Sequence, residues 1–155
     1  MADLVVMCGL PGAGKTTFTK MFAKKNNYRY ISIDNFYQAV FGNETEHYHK
    51  YQVWEMLYKA IDLAVEDDVN VILDTNAPNP SDRSILFDKV GKRFSHRTIV
   101  YIENDPNICK ENNKHRSRVI PDDQMDYIIN MFIPPTKEEL KYWHLKKVNN
   151  KNEIL

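Results

Sequence analysis

The sequence predicts an α/β fold, a central parallel sheet between two layers of helices, in a single domain over residues 1–155. Three observations predict it. Short apolar runs alternate with segments of helical period along the chain. The first run, Leu4-Val5-Val6-Met7-Cys8, feeds a glycine-rich loop, Gly9-Leu10-Pro11-Gly12-Ala13-Gly14-Lys15-Thr16-Thr17, which opens a helix. Two acids, Asp34 and Asp74, directly follow predicted strands, and parallel sheets gather ligands at their C-terminal strand ends.

Residues 3–8 form the first strand. A helix over 15–25 follows, with Phe18, Met21 and Phe22 at helical spacing. Lys24-Lys25 make its last turn cationic, and Asn27 suits the left-handed cap. Residues 28–33 alternate aromatic and β-branched types and read as the second strand. Asp34 then caps a short helix over 35–41, which Gly42 ends. A long helix runs from about residue 47 to 67 on a stripe of Val53, Leu57, Ile61 and Ala64. Residues 70–73 are almost wholly apolar, as strands buried on both faces are, and Asp74-Thr75-Asn76 follow.

Pro78 and Pro80 break the chain. A helix is predicted over about 81–94 on Leu86, Val90 and Phe94. Residues 97–103 make a fourth strand, and Pro106 starts a helix to about 115. Residues 116–120 read as irregular. Pro121-Asp122-Asp123 open another helix, with Met125, Ile128, Ile129 and Phe132 on one face, and Pro134-Pro135 stop it. Thr136 and Glu139 form a capping box for a last short helix or turn. The segment 148–155 reads as a loose tail.

Composition narrows the class. A hydrophobic content of 43% is that of a folded chain, not a disordered one. No apolar run reaches membrane-spanning length, and too few residues precede the first strand for a signal peptide. The two cysteines, Cys8 and Cys109, have no metal-ligand spacing. A reducing compartment is expected, the cytoplasm, or the host cytoplasm for a viral chain. Charge is balanced, with 21 basic and 21 acidic residues, which argues against wrapping a long nucleic acid but not against gripping one end. His47 and His49 are two apart, and with no third ligand near them no metal site is expected; His96 and His144 read as surface residues. Trp54, Tyr58, Tyr142 and Trp143 read as packing residues.

The loop fits G-x-x-x-x-G-K-[ST], so a P-loop NTPase fold is expected, with ATP and Mg²⁺ as its ligands. Gly9, Gly12 and Gly14 let backbone approach a phosphate, and the amides of Pro11-Gly12-Ala13-Gly14-Lys15-Thr16-Thr17, Pro11 excepted, form the cradle. Lys15 supplies a point charge for the β- and γ-phosphates, and the Thr16 hydroxyl a hard oxygen for the metal. Phosphoryl transfer also needs a group to take the proton of the attacking hydroxyl. Asp34 is the best candidate, as base, as helix cap, or as both. Asp74 could hold a metal-bound water or orient substrate, or be a turn residue. The cationic run over 110–118 could fold over ATP as a lid, or be a solvated charged face.

Four blocks carry a family resemblance: Gly9 to Thr17; Ile31-Ser32-Ile33-Asp34-Asn35-Phe36; Leu73-Asp74-Thr75-Asn76 with Pro80 and Arg83; and Cys109 to Pro121 with Met131 and Pro135. Together they resemble the kinase domain of bacteriophage polynucleotide kinase and the small P-loop kinases around it, including zeta toxins. The resemblance implies an adenylate-kinase-like core, a helical lid over about 105–120, and transfer of the γ-phosphate of ATP to a hydroxyl. It implies Asp34 as general base, Asp74 as a second required acid, and a lid cation at the phosphates. Arg116 is the best match for that cation; strict alignment back from Pro121 puts His115 there, and Arg118 is a third choice. The arginine that such kinases place three residues after the base, to grip a 3′ phosphate, is Tyr37 here. Tyr37 supplies no charge, and charge-assisted bonds to phosphate are about twice as strong as neutral ones.

The first functional expectation is therefore an ATP-dependent kinase of a 5′-hydroxyl of DNA or RNA. The alternatives are a kinase of a modified base, nucleoside or other small molecule, and a non-catalytic ATP-binding switch. The partner is a nucleic-acid end or nucleotide-like substrate, with no membrane.

Overall fold

The computed structural model describes residues 1–43 and 48–149. Five parallel strands form one sheet in the order β2-β3-β1-β4-β5. They are β1 (Asp3–Cys8), β2 (Arg29–Ser32), β3 (Val71–Asp74), β4 (His96–Ile102) and β5 (His144–Val148). The helices are α1 (Lys15–Asn26), α2 (Ile33–Phe41), α3 (Lys50–Glu66), α4 (Pro80–Lys89), α5 (Pro106–Asn113) and α6 (Asp122–Met131).

Alternation along β1 builds the layers. Leu4, Val6 and Cys8 pack with Ile33, Val53, Leu57, Ile61 and Leu86 on one face. Val5 and Met7 pack with Phe18, Ala23, Cys109 and Met125 on the other. Successive strand residues point to opposite faces, so an unbroken apolar run must be covered by helices on both sides. The three-layer α/β P-loop architecture is therefore the one expected. β1 and β3 lie in the middle, so the loop after β1 and Asp74 at the end of β3 emerge side by side. Among the described residues, no helix is long and apolar enough to cross a membrane.

Several expectations need correction. The fifth strand was not anticipated; His144-Leu145-Lys146-Lys147-Val148 has one fully buried apolar side chain, too few for a recognisable pattern. It is an edge strand whose partner β4 specifies its register, from Thr98 opposite His144 to Ile102 opposite Val148. The helix predicted over 81–94 ends at Lys89, and a tight turn over Gly91–Arg93 follows. Val90 leaves helical geometry at φ −137°, yet Val90 and Phe94 remain buried, so their spacing of four came from core contact and not from helix. The cap of α2 is Ser32, whose Oγ accepts from the Asn35 amide at 3.4 Å, and Asp34 sits inside the first turn. Capping therefore does not occupy the Asp34 carboxylate. The predicted start of the long helix at His47 lies outside the described residues, as does 150–155 of the tail; α3 begins at Lys50.

The local stop signals hold. Asn27 caps α1 in the left-handed region at φ 57°. The Thr136 amide donates to Glu139 Oε2 at 2.8 Å, one half of the expected capping box; the Thr136 hydroxyl donates to the same carboxylate at 3.1 Å, and the Glu139 amide donates to the Thr136 carbonyl rather than its hydroxyl. Trp143 is buried, Trp54 and Tyr58 pack against the core, and the half-exposed Tyr142 tilts against Phe87.

Candidate active site

The loop after β1 is wrapped around its own lysine. Lys15 Nζ donates to the carbonyls of Gly9 at 2.7 Å and Leu10 at 3.0 Å. An ammonium has three donors, so this holds the charge in the loop with capacity left for an anion. Burial lowers the pKa of Lys15, against the opposing pull of Asp74. Gly12 sits at φ 82°, and a Cβ there would lie 2.4 Å from the Cys109 carbonyl of α5. Asn112, on the same helix, donates Nδ2 to the Gly12 carbonyl at 2.9 Å. The loop is therefore clamped from β4's side of the sheet by α5. Gly12→Ala should force the two backbones apart and add left-handed strain. The expected cost is about 1–3 kcal/mol, with weaker ATP binding, read by thermal melting with and without nucleotide.

Asp74 closes β3 beside the loop. Its Oδ2 accepts from Thr16 Oγ1 at 2.9 Å and from the Tyr30 hydroxyl at 3.3 Å. Tyr30 is held as a donor, its pKa pushed up to about 12 by burial and then by the Asp74 charge. The Thr16 hydroxyl and Asp74 carboxylate thus form a cluster of hard oxygens, suited to Mg²⁺.

Asp34 reaches the same space from α2. Its Oδ1 lies 3.2 Å from Arg118 Nη1, a bond across 84 residues of sequence. The segment between α5 and α6 that carries Arg118 is irregular, as expected, and is closed at its base by Asn113. That buried amide donates to the Ile120 carbonyl at 2.7 Å and accepts from the Ile120 amide at 3.1 Å. Arg116, two residues before Arg118, has a buried Nη1 without a hydrogen-bond partner. His115 is exposed and faces Glu111 at 3.7 Å.

These groups meet in one cavity of about 600 Å³. Gly9, Pro11, Gly12, Gly14, Lys15, Thr16, Thr17, Asp34, Asp74, Arg116 and Arg118 all line it; Ala13 is buried behind the loop. Of the three candidate lid cations, Arg116 and Arg118 face the cavity and His115 does not line it. Thr75 and Asn76 line it beside Asp74, as their shared strand end predicts, whereas sequence reasoning missed Gln124, Ile128 and Phe132 as lining residues. Ile128 and Phe132 were legible only as core positions on a helical stripe, and Gln124, a polar helix residue, carried no signal. A buried guanidinium nitrogen without a partner is rare and costly, and an anion entering the cavity would satisfy it. The donor set of loop, Lys15 and Arg116 therefore fits a polyphosphate.

A match to the AAA domain family (AAA_33) covers residues 4–135. The chain belongs to that family. It is 26% identical over 141 residues to L-seryl-tRNA(Sec) kinase of Methanococcus maripaludis, covering 85% of this chain and 53% of that protein. An unliganded sugar kinase from Janibacter sp. HTCC2649 superposes with a TM-score of 0.71 at 14% identity, covering 97% of this chain and 87% of the other. A chain in the structure of the Pnkp1/Rnl/Hen1 RNA repair complex gives a TM-score of 0.75 at 14% identity, over 84% of this chain and 43% of that one. Together these place the AAA domain chain in the small P-loop kinase fold. It spans about half the length of the curated relatives it matches.

Behind the cavity of this P-loop domain lies Arg83, which is fully buried. It pairs with Glu139 through Nε at 2.6 Å and Nη2 at 3.1 Å. It also donates to the carbonyls of Ala77 at 2.8 Å and Ile133 at 2.9 Å. Burial opposes ionisation of Glu139, but bonds from Arg83 and Thr136 outweigh it and lower its pKa below the ordinary 4.5. A depressed acid contributes stability that is complete above its unfolded value and is lost as pH falls through its folded value. Unfolding free energy should therefore begin to fall on acidification below about pH 4.5, and Glu139→Gln should flatten that limb in urea melts from pH 6 to 3.

Proposed function

We propose that this protein is a phosphotransferase that moves the γ-phosphate of ATP to a hydroxyl group. One observation carries the reading: the Asp34 carboxylate, the phosphate loop and the unpartnered Arg116 line a single cavity. Lys15, the loop amides and Arg116 would hold the triphosphate, and Thr16 with Asp74 would hold Mg²⁺. When bound, the metal would draw charge from the phosphate oxygens. Asp34 takes the proton of the acceptor hydroxyl as its oxygen bonds to phosphorus. The segment 105–120 acts as a lid, with Arg116 at the phosphates and Arg118 over Asp34. A bare ATP-binding switch would have no need of an acid beside the phosphate loop.

For the acceptor, the 5′-hydroxyl of DNA or RNA is supported by the likeness to a chain of an RNA repair complex and to a seryl-tRNA kinase. A nucleoside or other small acceptor is supported by Tyr37, which is buried against Phe41 in the core. The test is transfer of labelled γ-phosphate to 5′-hydroxyl oligonucleotides, nucleosides and modified DNA. Lys15→Ala should reduce transfer by about 10²–10³-fold, the cost of removing one preorganised charge-stabilising donor. Failure of the parent protein to label any acceptor would leave the switch as the better reading.

A further inference from the structure

The charged groups of the cavity can be assigned one by one. Among the described residues, Lys15, Arg116 and Arg118 line it as cations, and Asp34 and Asp74 as carboxylates. Lys15 is held inside the loop by two carbonyls. Arg116 offers its unpartnered nitrogen. The inference rests on the reading above, in which these two hold the donor phosphates. The remaining cation is Arg118, and the Asp34 carboxylate already neutralises it. Tyr37 lies one turn along α2 from Asp34, but its ring is buried in the core and is not among the lining groups.

The rest of the lining is neutral. Ile33, Ala77, Pro78, Ile120, Ile128 and Phe132 are apolar, and Thr75, Asn76 and Gln124 are uncharged hydrogen-bonding residues. Thr75 Oγ1 is buried without a partner. Buried polar groups are nearly always paired, so this hydroxyl marks a place where a bound molecule completes a hydrogen bond. That unsatisfied group is a neutral hydroxyl and calls for no charge.

We propose that the acceptor is an uncharged alcohol with a flat apolar body, a nucleoside, that enters without a phosphate of its own. A second phosphate beside the donor phosphates would be desolvated with no free cation among the described lining residues to meet it, and like charges repel strongly in a half-buried site. A heteroaromatic ring gains instead from apolar contact with side chains such as Ile128 and Phe132. The amides of Asn76 and Gln124 each offer a donor and an acceptor to its edge. In the reaction the nucleoside oxygen forms a bond to the γ-phosphorus, and the bond from that phosphorus to the β–γ bridging oxygen breaks. The hydroxyl proton passes to Asp34, and ADP is the second product.

The experiment offers the full chain labelled ATP with nucleosides, their 3′-monophosphates and 5′-hydroxyl oligonucleotides of the same bases. Calorimetry of the same compounds against the protein without ATP gives a second readout. A nucleoside is expected to bind and be labelled with a KM at least about tenfold below that of its 3′-monophosphate. Thr75→Val should raise the nucleoside KM several-fold. Preference for the 3′-monophosphate or the oligonucleotide, erased by Arg118→Gln, would overturn the proposal by showing that Arg118 leaves Asp34 to grip a phosphate. Labelling of a non-aromatic sugar in place of nucleosides would overturn it while leaving the kinase reading intact. No labelling of any compound would overturn both.

Discussion

Asp34→Asn should lower phosphoryl transfer by about 10²–10⁴-fold, the range contributed by a well-placed general base, while ATP still binds. The substitution keeps the shape of the side chain and removes its capacity to take a proton. It leaves the helix start alone, because Ser32 caps α2. It also breaks the Arg118 ion pair, but that pair is partly exposed, with side-chain exposures of 20% and 36%. Such pairs contribute about 0–1 kcal/mol, too little to unfold the domain. Activity and stability are thus separable here. Single-turnover transfer rates, with nucleotide binding measured in parallel, are the check. A variant that transfers phosphate at the parent rate would remove Asp34 from the role of base, whatever the fold.

Arg83→Leu should cost about 3–5 kcal/mol of folding stability, the usual penalty for leaving one charge of a buried pair alone. Glu139 would keep its carboxylate with only 11% of its side chain exposed. The carbonyls of Ala77 and Ile133 would each lose a charged donor. Those carbonyls hold the segment after β3 against the chain beyond α6, so the wall of the cavity should loosen with the core. Urea denaturation measures the cost. The double variant Arg83→Met with Glu139→Met should be less destabilised than either single change, because no unpaired charge remains. Additive losses instead would mean that the pairing itself contributes little and that packing at Arg83 is what counts.

The phosphate loop was legible because its chemistry is local. Glycines, lysine and threonine at that spacing, between an apolar run and a helix, meet one another within nine residues and need no distant partner. The strand-end positions of Asp34 and Asp74 were legible for the same reason. What Asp34 does there was not, because Ser32, two residues earlier, takes the cap position and leaves Asp34 inside the first turn. Arg118 stands only third among the lid cations that the cationic run offers, and its bond to Asp34, 84 residues away, is not legible from that run. β5 was missed because edge strands need few buried side chains, and its order comes from pairing with β4.

By itself, then, the order of residues determined the layered α/β architecture, the phosphate cradle and the convergence of two acids on it, since periodicity and strand-end placement follow from short-range geometry. Only the tertiary structure decided which arginine meets the acid and which is left unpartnered, and that Arg83 is a buried tie rather than a surface charge. A charged side chain reads the same in sequence whether water or a carboxylate satisfies it; the difference lies in which distant segments close over it and exclude the solvent.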